Sequence, residues 1–504
     1  MEKNNERKFS EQELVRREKY QKLVDQNLDP FQISKWENNT DLKSIRDKYQ
    51  DYSKEELQTL DQVPVQVAGR IRLYREAGKK AVFSNIQDEN GNLQLYVRMD
   101  ELGEAAFALF KDLDLGDIIG VKGMIMKTDH GELSIRVQSF SLLSKALRPL
   151  PDKHAGIVDI EEKYRRRYVD LIMNPDQLQL FKNRTKVIRT LQHYLDDRGY
   201  IEVETPILQA IKGGAAAKPF ISHYNALDRD FYLRIATELH LKRLIVGGFN
   251  GVYEIGRIFR NEGMDTRHNP EFTTMELYVA YEDFHFLMDL TQKLFQLTSL
   301  AVNNSLQIKY GEVEIDLAKP FARVHMVDAV KTATGIDFWK PMTFEEAKQI
   351  AGEKGLKVEP HFNDVGHIIN LFFEEFVEDS IEQPTFIYGH PKAISPLAKA
   401  NKDDDRFTDR FELFIIRREY ANAFSELNNP IDQYERFKAQ IQEAKQGNDE
   451  ATEMDLDFVE ALEYGMPPTA GIGLGIDRLV MLLTNSESIK DVLLFPQLKP
   501  RDNN

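Results

Sequence analysis

The stretch from Tyr253 to Tyr281 constrains the fold more than any other part of the chain. It reads YEIGRIFRNEGMDTRHNPEFTTMELYVAY, and the alternation of its side chains predicts two strands joined by a charged loop. Successive side chains of a strand point to opposite faces of the sheet. The second strand therefore has an apolar face, with Met275, Leu277, Val279 and Tyr281, and a mostly polar face, with Phe272, Thr274, Glu276 and Tyr278. We expect a sheet with a core on one side and polar groups on the other.

The loop between these strands leaves two interpretations open. Its charged residues include Glu262, Arg267 and His268. One interpretation is a solvated hairpin held by salt bridges, because charged loops are common on protein surfaces. The other is a functional surface, because alternation allows Arg260 to share one side of the sheet with Glu276 and Tyr278. The hairpin alone does not decide between them.

Composition excludes several classes of function. The chain has 504 residues, enough for two or more domains, and no cysteine. Disulfides, thiolate zinc sites and cysteine nucleophiles are excluded, which fits a reducing compartment. The charged first residues do not resemble a secretory signal, and no run is long and apolar enough to span a bilayer. We therefore predict a cytoplasmic protein without a membrane partner. Its net charge of −16 argues against coating nucleic acid with the whole surface but permits a local basic patch.

Residues 1–60 and 61–145 have different patterns. The first segment is predicted to be helical, with Ser10 as an N-cap and Glu13 completing a capping box. The second holds five strand-like runs separated by turn signals, with one helix-like insert at 102–110 after the third run. Five strands with a helix in that position predict an OB-fold barrel, whose open face binds single-stranded nucleic acid.

The first strand of the predicted barrel and the loop after it carry an excess of positive charge. Only one acidic residue occurs there beside five basic ones. The basic residues are Arg70, Arg72, Arg75, Lys79 and Lys80. Nearby, Phe83 can stack on a base and Gln94 can read a base edge. Core packing is the alternative for Phe83, because single aromatic residues in strands more often belong to the core.

A proline-punctuated linker at 146–177 leads to a second predicted domain at 178–504. There the pattern predicts a helix over 178–198 and a strand over 200–208. Pro206 near the end of that strand suits an edge or interface position.

Three further segments of the second domain offer ligand-binding groups. A glycine–alanine stretch at 213–217 permits close approach of the backbone to a ligand. Glu238 opens a predicted helix, where complementing the helix dipole is the alternative role. Glu412 and Glu419 are candidate oxygen ligands for Mg²⁺, with a charged sheet surface as the alternative. Three neighbouring residues share a face by alternation, namely Asn422, Phe424 and Glu426.

Residues 469–484, TAGIGLGIDRLVMLLT, predict a glycine-rich strand followed by a helix that Asp477 and Arg478 open. This segment is not a dinucleotide fingerprint, because Ile476 stands where a third glycine is needed. It is not a phosphate-binding P-loop either, because no G-K-[ST] occurs.

Three of these segments, at about 178–208, 253–281 and 469–484, resemble motifs 1, 2 and 3 of the class II aminoacyl-tRNA synthetases. They occur in the family's order behind an OB-like domain, as in the subgroup that charges Lys, Asp and Asn. The segments GGAAAKPF, TELHLKRL, RHNPEFTTMELY, ANAFSELNNP and PPTAGIGLGIDR resemble the lysyl-tRNA synthetase family. The resemblance implies an α+β fold: a five-stranded OB barrel, then an antiparallel-sheet catalytic domain flanked by helices. Ile416-Arg417 departs from the family, because many relatives carry glycine there.

The resemblance also implies roles for individual residues. For ATP, Arg260 would be catalytic, bridging the amino-acid carboxylate and the α-phosphate. The other ATP-binding residues would be Glu262 and Asn269 at the adenine, Phe272 stacked on it, and Arg267, His268 and Arg478 at the γ-phosphate. Glu412 and Glu419 would hold Mg²⁺ at the phosphates. Lysine would contact Gly214, Glu238, Glu276, Tyr278, Asn422, Phe424, Glu426 and Gly471. The tRNA anticodon would contact Arg75, Phe83 and Gln94.

The chemistry of the pocket favours lysine independently. A site that selects an ammonium needs carboxylates and a hydroxyl on a rigid sheet, without a compensating cation at its base. Glu276, Tyr278 and Glu426 supply these groups, whereas a pocket for aspartate would need arginine or lysine there. We therefore expect a lysine–tRNA ligase that uses ATP and tRNA(Lys), and the resemblance of motif 1 to the family's dimer interface implies a homodimer. Three alternatives are an aspartyl or asparaginyl enzyme, a related ligase that lysylates a protein and lacks the OB domain, and an inactive RNA-binding or signalling homologue.

Overall fold

The computed structural model describes residues 8–60, 63–151, 159–215, 217–446 and 453–501. Ala216 of the glycine–alanine stretch and residues 152–158 of the predicted linker lie outside the described residues, as do residues 1–7 and 61–62 of the two N-terminal segments. The chain divides into two compact units, Met1–Leu178 and Gln179–Asn504.

The first unit begins with three helices and continues as a closed β-barrel. The helices are α1 (Glu11–Asp25), α2 (Leu42–Tyr49) and α3 (Lys54–Thr59). The predicted capping box is confirmed: Ser10 Oγ accepts from the amide of Glu13, and the amide of Ser10 donates to Glu13 Oε2 at 2.9 Å.

The barrel confirms the five predicted strands and the helical insert. Its elements are β1 (Pro64–Glu76), β2 (Ala81–Gln87), β3 (Asn92–Arg98), α4 (Met99–Leu102), α5 (Glu104–Lys111), β4 (Ile118–Lys127) and β5 (Leu133–Ser144). The strands close in the order β1-β2-β3-β5-β4. Burial alternates along β2 and β3, so that every second side chain enters the core. The unit continues through α6 (Ile160–Arg165) and α7 (Arg167–Met173).

The second unit is built on a large sheet with helices around it. Its strands are β6 (Ile201–Glu202), β7 (Leu208–Gln209), β8 (Ile221–Tyr224), β9 (Arg229–Leu233), β10 (Gly251–Phe259), β11 (Glu271–Ala280), β12 (Gln307–Tyr310), β13 (Val313–Asp316), β14 (Ala322–His325), β15 (Thr385–Tyr388), β16 (Arg410–Ile415), β17 (Arg418–Ser425) and β18 (Thr469–Gly475). Its helices are α8 (Pro175–Asp196, which starts in the first unit), α9 (Glu238–Val246), α10 (Phe284–Asn303), α11 (Met326–Thr334), α12 (Phe344–Glu353), α13 (Val365–Phe376), α14 (Pro430–Lys445), α15 (Leu456–Glu463), α16 (Ile476–Leu483) and α17 (Ile489–Val492).

The eight-stranded sheet has the order β14-β15-β16-β17-β18-β11-β10-β6 and is mostly antiparallel. Parallel pairing occurs between β14 and β15 and between β10 and β6. The predicted α+β fold, with a barrel followed by an antiparallel-sheet domain, is confirmed. One face of the sheet carries the apolar core of this unit, in which Met275, Leu277 and Val279 are buried together with residues of α8, α10 and α16.

Two local predictions were wrong. The strand predicted over 200–208 is interrupted, because only Ile201–Glu202 joins the large sheet and Leu208–Gln209 pairs with β9 in a separate sheet. Tyr281 does not lie on the apolar face. It follows the end of β11 with a φ of 67° and is 74% exposed, because the chain turns there before α10 begins.

Within the described residues, no helix has the length and apolar character needed to cross a membrane.

Candidate active site

A cavity of about 1050 Å³ lies over the polar face of the large sheet. It brings together most of the site residues proposed for the second domain: Gly214, Glu238, Arg260, Glu262, Arg267, His268, Asn269, Phe272, Glu276, Tyr278, Glu412, Glu419, Asn422, Phe424, Gly471 and Arg478. Glu426 does not line the cavity itself, but its Oε1 lies in the space that a Cβ of Gly471 would fill. The alternation predicted for the second strand of the hairpin is thus confirmed, with its polar face towards the cavity.

The glycines of β18 form the floor between two walls of side chains. Gly471 pairs with Tyr278 on β11 and with Phe424 on β17, and Gly473 pairs with Glu276 and Asn422 in the same way. A Cβ at position 471 would overlap both Oε1 of Glu426 and the ring of Tyr278. Glycine is therefore required at position 471 by space, because the Glu426 carboxylate and the Tyr278 ring occupy the place of a side chain.

One end of the cavity holds a cluster of buried carboxylates. Oε1 of Glu276 accepts from the amide of Thr237 at 3.1 Å, and Oε2 accepts from the Tyr278 hydroxyl at 3.1 Å. Burial, together with the neighbouring Glu238 carboxylate, raises the pKa of Glu276 to about 7. Burial also raises the pKa of Glu426, against the influence of a nearby lysine. Burial thus opposes ionisation of these acids, and the nearby lysine favours ionisation of Glu426.

The nearby lysine corrects an expectation. Lys242 is completely buried, and its Nζ donates to Oε1 of Glu238 at 2.5 Å and contacts Oε2 of Glu426. The sequence analysis expected no compensating cation at the base of the pocket, and this was wrong. Three carboxylates remain against one ammonium, so the fully ionised cluster has a net charge of −2. The excess of negative charge on which the prediction relied is therefore reduced but not removed.

Arg260 also lines the cavity, and one of its hydrogen-bond donors has no partner within the described residues. Its Nε is buried and has no hydrogen-bond partner among the described residues. Its guanidinium carbon lies 5.3 Å from the centre of the Phe272 ring. A buried donor without a partner is costly, so this guanidinium is arranged to meet an anion inside the cavity.

The charged loop is organised by Asp265, a residue that the sequence analysis did not select. Oδ1 of Asp265 accepts from the amides of Arg267 and His268 at 2.6 and 2.7 Å, and Oδ2 lies 2.9 Å from Nδ1 of His268. Burial acts to raise the pKa of Asp265, but the bonds from His268 and the amides hold it at about 2. Aspartate often accepts hydrogen bonds from the amides two and three residues further along the chain, and this favours a turn. Asp265 could therefore have been recognised from the sequence as a turn residue.

Both polar atoms of the Asn269 carboxamide form hydrogen bonds within the protein. Nδ2 donates to the carbonyl of Glu271 at 2.6 Å, and Oδ1 accepts from the amide of Gln497 at 3.2 Å. Any contact of Asn269 with a ligand would therefore come more readily from its main chain than from its side chain.

Glu412 and Glu419 lie on the neighbouring strands β16 and β17. Oε1 of Glu412 accepts from Arg410 at 2.6 Å, and Arg478 donates to the main-chain carbonyl of Glu419 at 2.6 Å. Burial and repulsion from Glu412 raise the pKa of Glu419. Within the described part of the chain, no group of three or more acidic or histidine side chains has the arrangement of a metal site. Two carboxylates that repel each other fit Mg²⁺, which is commonly bound by one or two carboxylates with phosphates and water completing its shell.

The turn between these glutamates shows how the chain accommodates Ile416-Arg417 where many relatives carry glycine. Both residues adopt left-handed conformations, with φ of 49° and 59°. Their amides donate to the carbonyls of Glu382 and Ile381 at 3.0 and 2.7 Å. The two-residue turn that glycine favours is therefore present without glycine, held by the adjoining loop.

A partly buried arginine that the sequence analysis missed connects the three motif segments. Arg184 on α8 contacts Oδ1 of Asp477 at the start of α16, and its Nη2 donates to Oγ1 of Thr273 on β11 at 3.1 Å. Oδ2 of Asp477 accepts from the amide of Thr273 at 2.7 Å. No local pattern could have revealed it, because its partners lie 89 and 293 positions away.

In the first unit, the residues proposed for nucleic acid lie on the outer face of the barrel. Phe83 is half-buried and stacks on Tyr96, with ring centres 4.8 Å apart and planes at 19°. The guanidinium of Arg75 lies 5.3 Å from the Phe83 ring. Gln94 donates to Ser134 Oγ at 2.9 Å. The alternative that Phe83 belongs to the core was wrong. Tyr96 was missed, although it alternates with Gln94 on the same strand.

Comparison with known proteins agrees with this architecture. Residues 159–499 match the family model described as tRNA synthetases class II (D, K and N), and residues 65–143 match an OB-fold nucleic acid binding domain. The chain is 70% identical to the lysine–tRNA ligase of Mycoplasma capricolum subsp. capricolum over 498 residues, which cover 99% of this chain and 100% of that protein. The chain belongs to the lysine–tRNA ligase family. It is also 56% identical to the lysine–tRNA ligases of Streptococcus sanguinis, over 97% of this chain and 98% of that protein, and of Bacillus subtilis, over 99% of both.

Membership of the lysine–tRNA ligase family confirms the predicted class of enzyme, an ATP-dependent ligase of the class II tRNA synthetases. The roles of individual site residues remain predictions.

Proposed function

We propose that the protein joins L-lysine to the 3′ end of tRNA(Lys) in two steps. The lysine carboxylate first attacks the α-phosphorus of ATP, giving lysyl-adenylate and pyrophosphate. The terminal ribose of the tRNA then attacks the acyl carbon. The observation that carries the proposal is the charge distribution of one cavity: a cluster of net charge −2 at one end, and the arginines Arg260 and Arg478 elsewhere in its lining.

The acidic end suits an amino acid with two ammonium groups. Glu238 and the backbone of Gly214 would hold the α-ammonium, and Tyr278, Glu276 and Glu426 would receive the side-chain ammonium. Asn422 and Phe424 would shape the space between the two groups, with Gly471 as its floor. Aspartate would meet carboxylates here, and Lys242 could not offset them, because it is fully buried between two of them.

The remaining lining suits a nucleotide. Arg260 would bridge the lysine carboxylate and the α-phosphate, where negative charge builds in the transition state. Phe272 would stack on the adenine beside Glu262 and Asn269. Arg267, His268 and Arg478 would meet the γ-phosphate. The attacking carboxylate is already an anion, so no general base is required and positioning dominates.

Glu412 and Glu419 would hold Mg²⁺ at the phosphates. The metal would supply positive charge that offsets repulsion between the nucleotide and the two carboxylates. Arg410, which donates to Glu412 and to Oδ1 of Asn422, would keep the metal-binding and lysine-binding strands in register.

The barrel would provide contacts to the tRNA anticodon. Arg75, Phe83 and Tyr96 form a stacked platform on its outer face, and stacking on aromatic side chains is how such faces hold unpaired bases. A barrel of this kind also argues against a ligase that lysylates a protein, since that type lacks the domain.

A homodimer would form through the motif 1 region. Apolar side chains stand about half-exposed there on Ile201, Ile207 and Leu208. Such residues are typical of a surface that a second copy covers. We place the protein in the cytoplasm, where tRNA is charged.

Amino-acid-dependent ATP–pyrophosphate exchange tests the proposal. Purified protein is assayed with lysine, aspartate and asparagine in turn, each with and without tRNA. We expect exchange with lysine alone. Exchange driven by aspartate or asparagine would contradict the assignment of the pocket, and absence of exchange with all three would contradict an active synthetase.

A further inference from the structure

A buried ammonium lies at the base of the acidic end of the cavity, and the proposed reaction gives it no role. Lys242 bridges Glu238 and Glu426, with Nζ 5.4 Å from the centre of the Phe424 ring and 5.8 Å from that of Phe458. Its side chain has no exposed surface. Two carboxylates and two rings thus hold the ammonium in place.

Each carboxylate of this pair uses one oxygen for Lys242 and presents the other elsewhere. Oε2 of Glu426 forms an ion pair with Lys242, and neither oxygen of Glu426 has a hydrogen-bond partner among the described residues. Its Oε1 lies beside the Tyr278 ring, in the space that a Cβ of Gly471 would fill. Glu238 gives Oε1 to Lys242 and lines the cavity itself. One internal ammonium is therefore shared by Glu426 and by a carboxylate that lines the cavity, Glu238.

The charge balance explains why such a cation is useful. Without Lys242 the three carboxylates would carry −3 in a buried site, and ionised acids without a partner are strongly disfavoured there. Glu426 is completely buried, so it would take up a proton. A protonated Glu426 would have to lose that proton before it could pair with a substrate ammonium. With Lys242 the cluster carries −2, which matches the two ammonium groups of lysine.

We propose that Lys242 is a positioning residue for lysine recognition: its ammonium favours the ionised form of Glu426 and holds the Glu238 and Glu426 carboxylates in place. The proposal rests on the proposed function. The cluster is faced by charged or titratable groups from three elements, and α15 contributes only the Phe458 ring. Those groups are Glu238 and Lys242 of α9, Glu276 and Tyr278 of β11, and Glu426 after β17. Arg243, the next residue of α9, pairs instead with Asp455 and Asp457.

The test counts protons released when lysine binds. Lys242→Met keeps the length of the side chain and removes its charge. Calorimetric titration with lysine in two buffers of different ionisation heat gives the proton count. At pH 7 we expect the unmodified protein to release fewer than one proton, from Glu276. The variant should release about one more and bind lysine roughly tenfold or more weakly, with recovery as the pH rises towards 9. Its affinity for ATP should stay within about twofold, because Lys242 does not line the cavity.

Arg243→Met is the matched control, because it removes a cation from the same helix that does not touch the pocket acids. It should keep the unmodified proton count and lysine affinity. A Lys242→Met variant with both values unchanged would overturn the proposal. Release of two or more protons by the unmodified protein would also overturn it, and this measurement does not depend on the variant folding. Failure of the unmodified protein to bind lysine would instead overturn the proposed function, and this inference with it.

Discussion

At the scale of single residues, the site depends on charged groups held without full compensation. Arg260 keeps a buried nitrogen without a partner in the described structure, and Glu276 keeps a raised pKa. Each of these features is unfavourable by itself, and a ligand of opposite charge would relieve it. They differ from Arg184 and Asp477, whose charges neutralise each other and whose polar atoms are hydrogen-bonded.

Arg260→Ala should abolish ATP–pyrophosphate exchange while leaving the fold intact. The variant loses the group that would stabilise charge at the α-phosphorus, and loss of such a group costs roughly 10³-fold in rate. Exchange is measured with lysine and ATP at saturation, and folding by circular dichroism and thermal melting. Exchange at the unmodified rate would refute the role of Arg260.

Lysine affinity should depend on pH through Glu276. A carboxyl with a raised pKa of about 7 is increasingly protonated below that value, and the neutral form attracts an ammonium less. We expect the dissociation constant for lysine to rise roughly tenfold for each unit below pH 7, and to level off above pH 8. Glu276→Gln should bind weakly and lose this dependence. A flat profile in the unmodified protein from pH 6 to 8 would contradict the assignment.

At the scale of elements, the hairpin of β16 and β17 uses a strained turn to place Glu412 and Glu419 on neighbouring strands. Ile416 and Arg417 are left-handed, a conformation that costs residues with a Cβ about 1–2 kcal/mol each. The hairpin keeps this turn because its amides bond to the loop at 381–382 and Ile416 packs against the core. The strain lies between the two residues proposed to hold Mg²⁺.

Arg417→Gly should therefore stabilise the protein by about 1 kcal/mol, because glycine adopts a positive φ without penalty. Arg417 is exposed, and its ion pair with Glu382 is worth little. Thermal unfolding of the two proteins measures the difference. Lys402→Gly, at an exposed position without a positive φ, is the control and should be neutral or slightly destabilising. A lower melting temperature for Arg417→Gly would show that the turn is not strained.

Sequence patterns predicted the elements better than the contacts between them. The five barrel strands, the capping box at Ser10 and the two faces of β11 follow from local periodicity, and all are present. Lys242 follows Glu238 by one helical turn, but its second partner, Glu426, lies 184 positions away in the chain. The sequence did not predict that the strand ends after Glu202, because its apolar pattern continues beyond that residue. Pairing with β10, however, stops there.

At the scale of the whole molecule, the proposed function gives the barrel unit and the catalytic unit separate tasks. The stacked pair of Phe83 and Tyr96 lies in the first unit, whereas the cavity is lined by residues of the second. A change on the barrel face should therefore alter recognition of tRNA and leave the chemistry of the cavity unchanged.

Phe83→Ala should lower kcat/KM for tRNA charging by roughly 10- to 100-fold, because one aromatic stacking contact is worth that much. Lysine-dependent pyrophosphate exchange without tRNA should stay unchanged. Phe31→Ala removes another exposed aromatic ring from the same unit and should affect neither activity. Equal loss of charging and exchange in Phe83→Ala would contradict the division of tasks.

Strand β18 and helix α16 run without a break from Thr469 to Leu483. Gly471 lies at the proposed lysine end of the cavity, and Arg478, seven residues further on, lies at the proposed nucleotide end. One continuous segment would therefore set the distance between the two substrates. A change in the length or register of this segment that admitted a different amino acid would also displace Arg478. A new specificity therefore has to arise from the side chains of the neighbouring strands, β11 and β17.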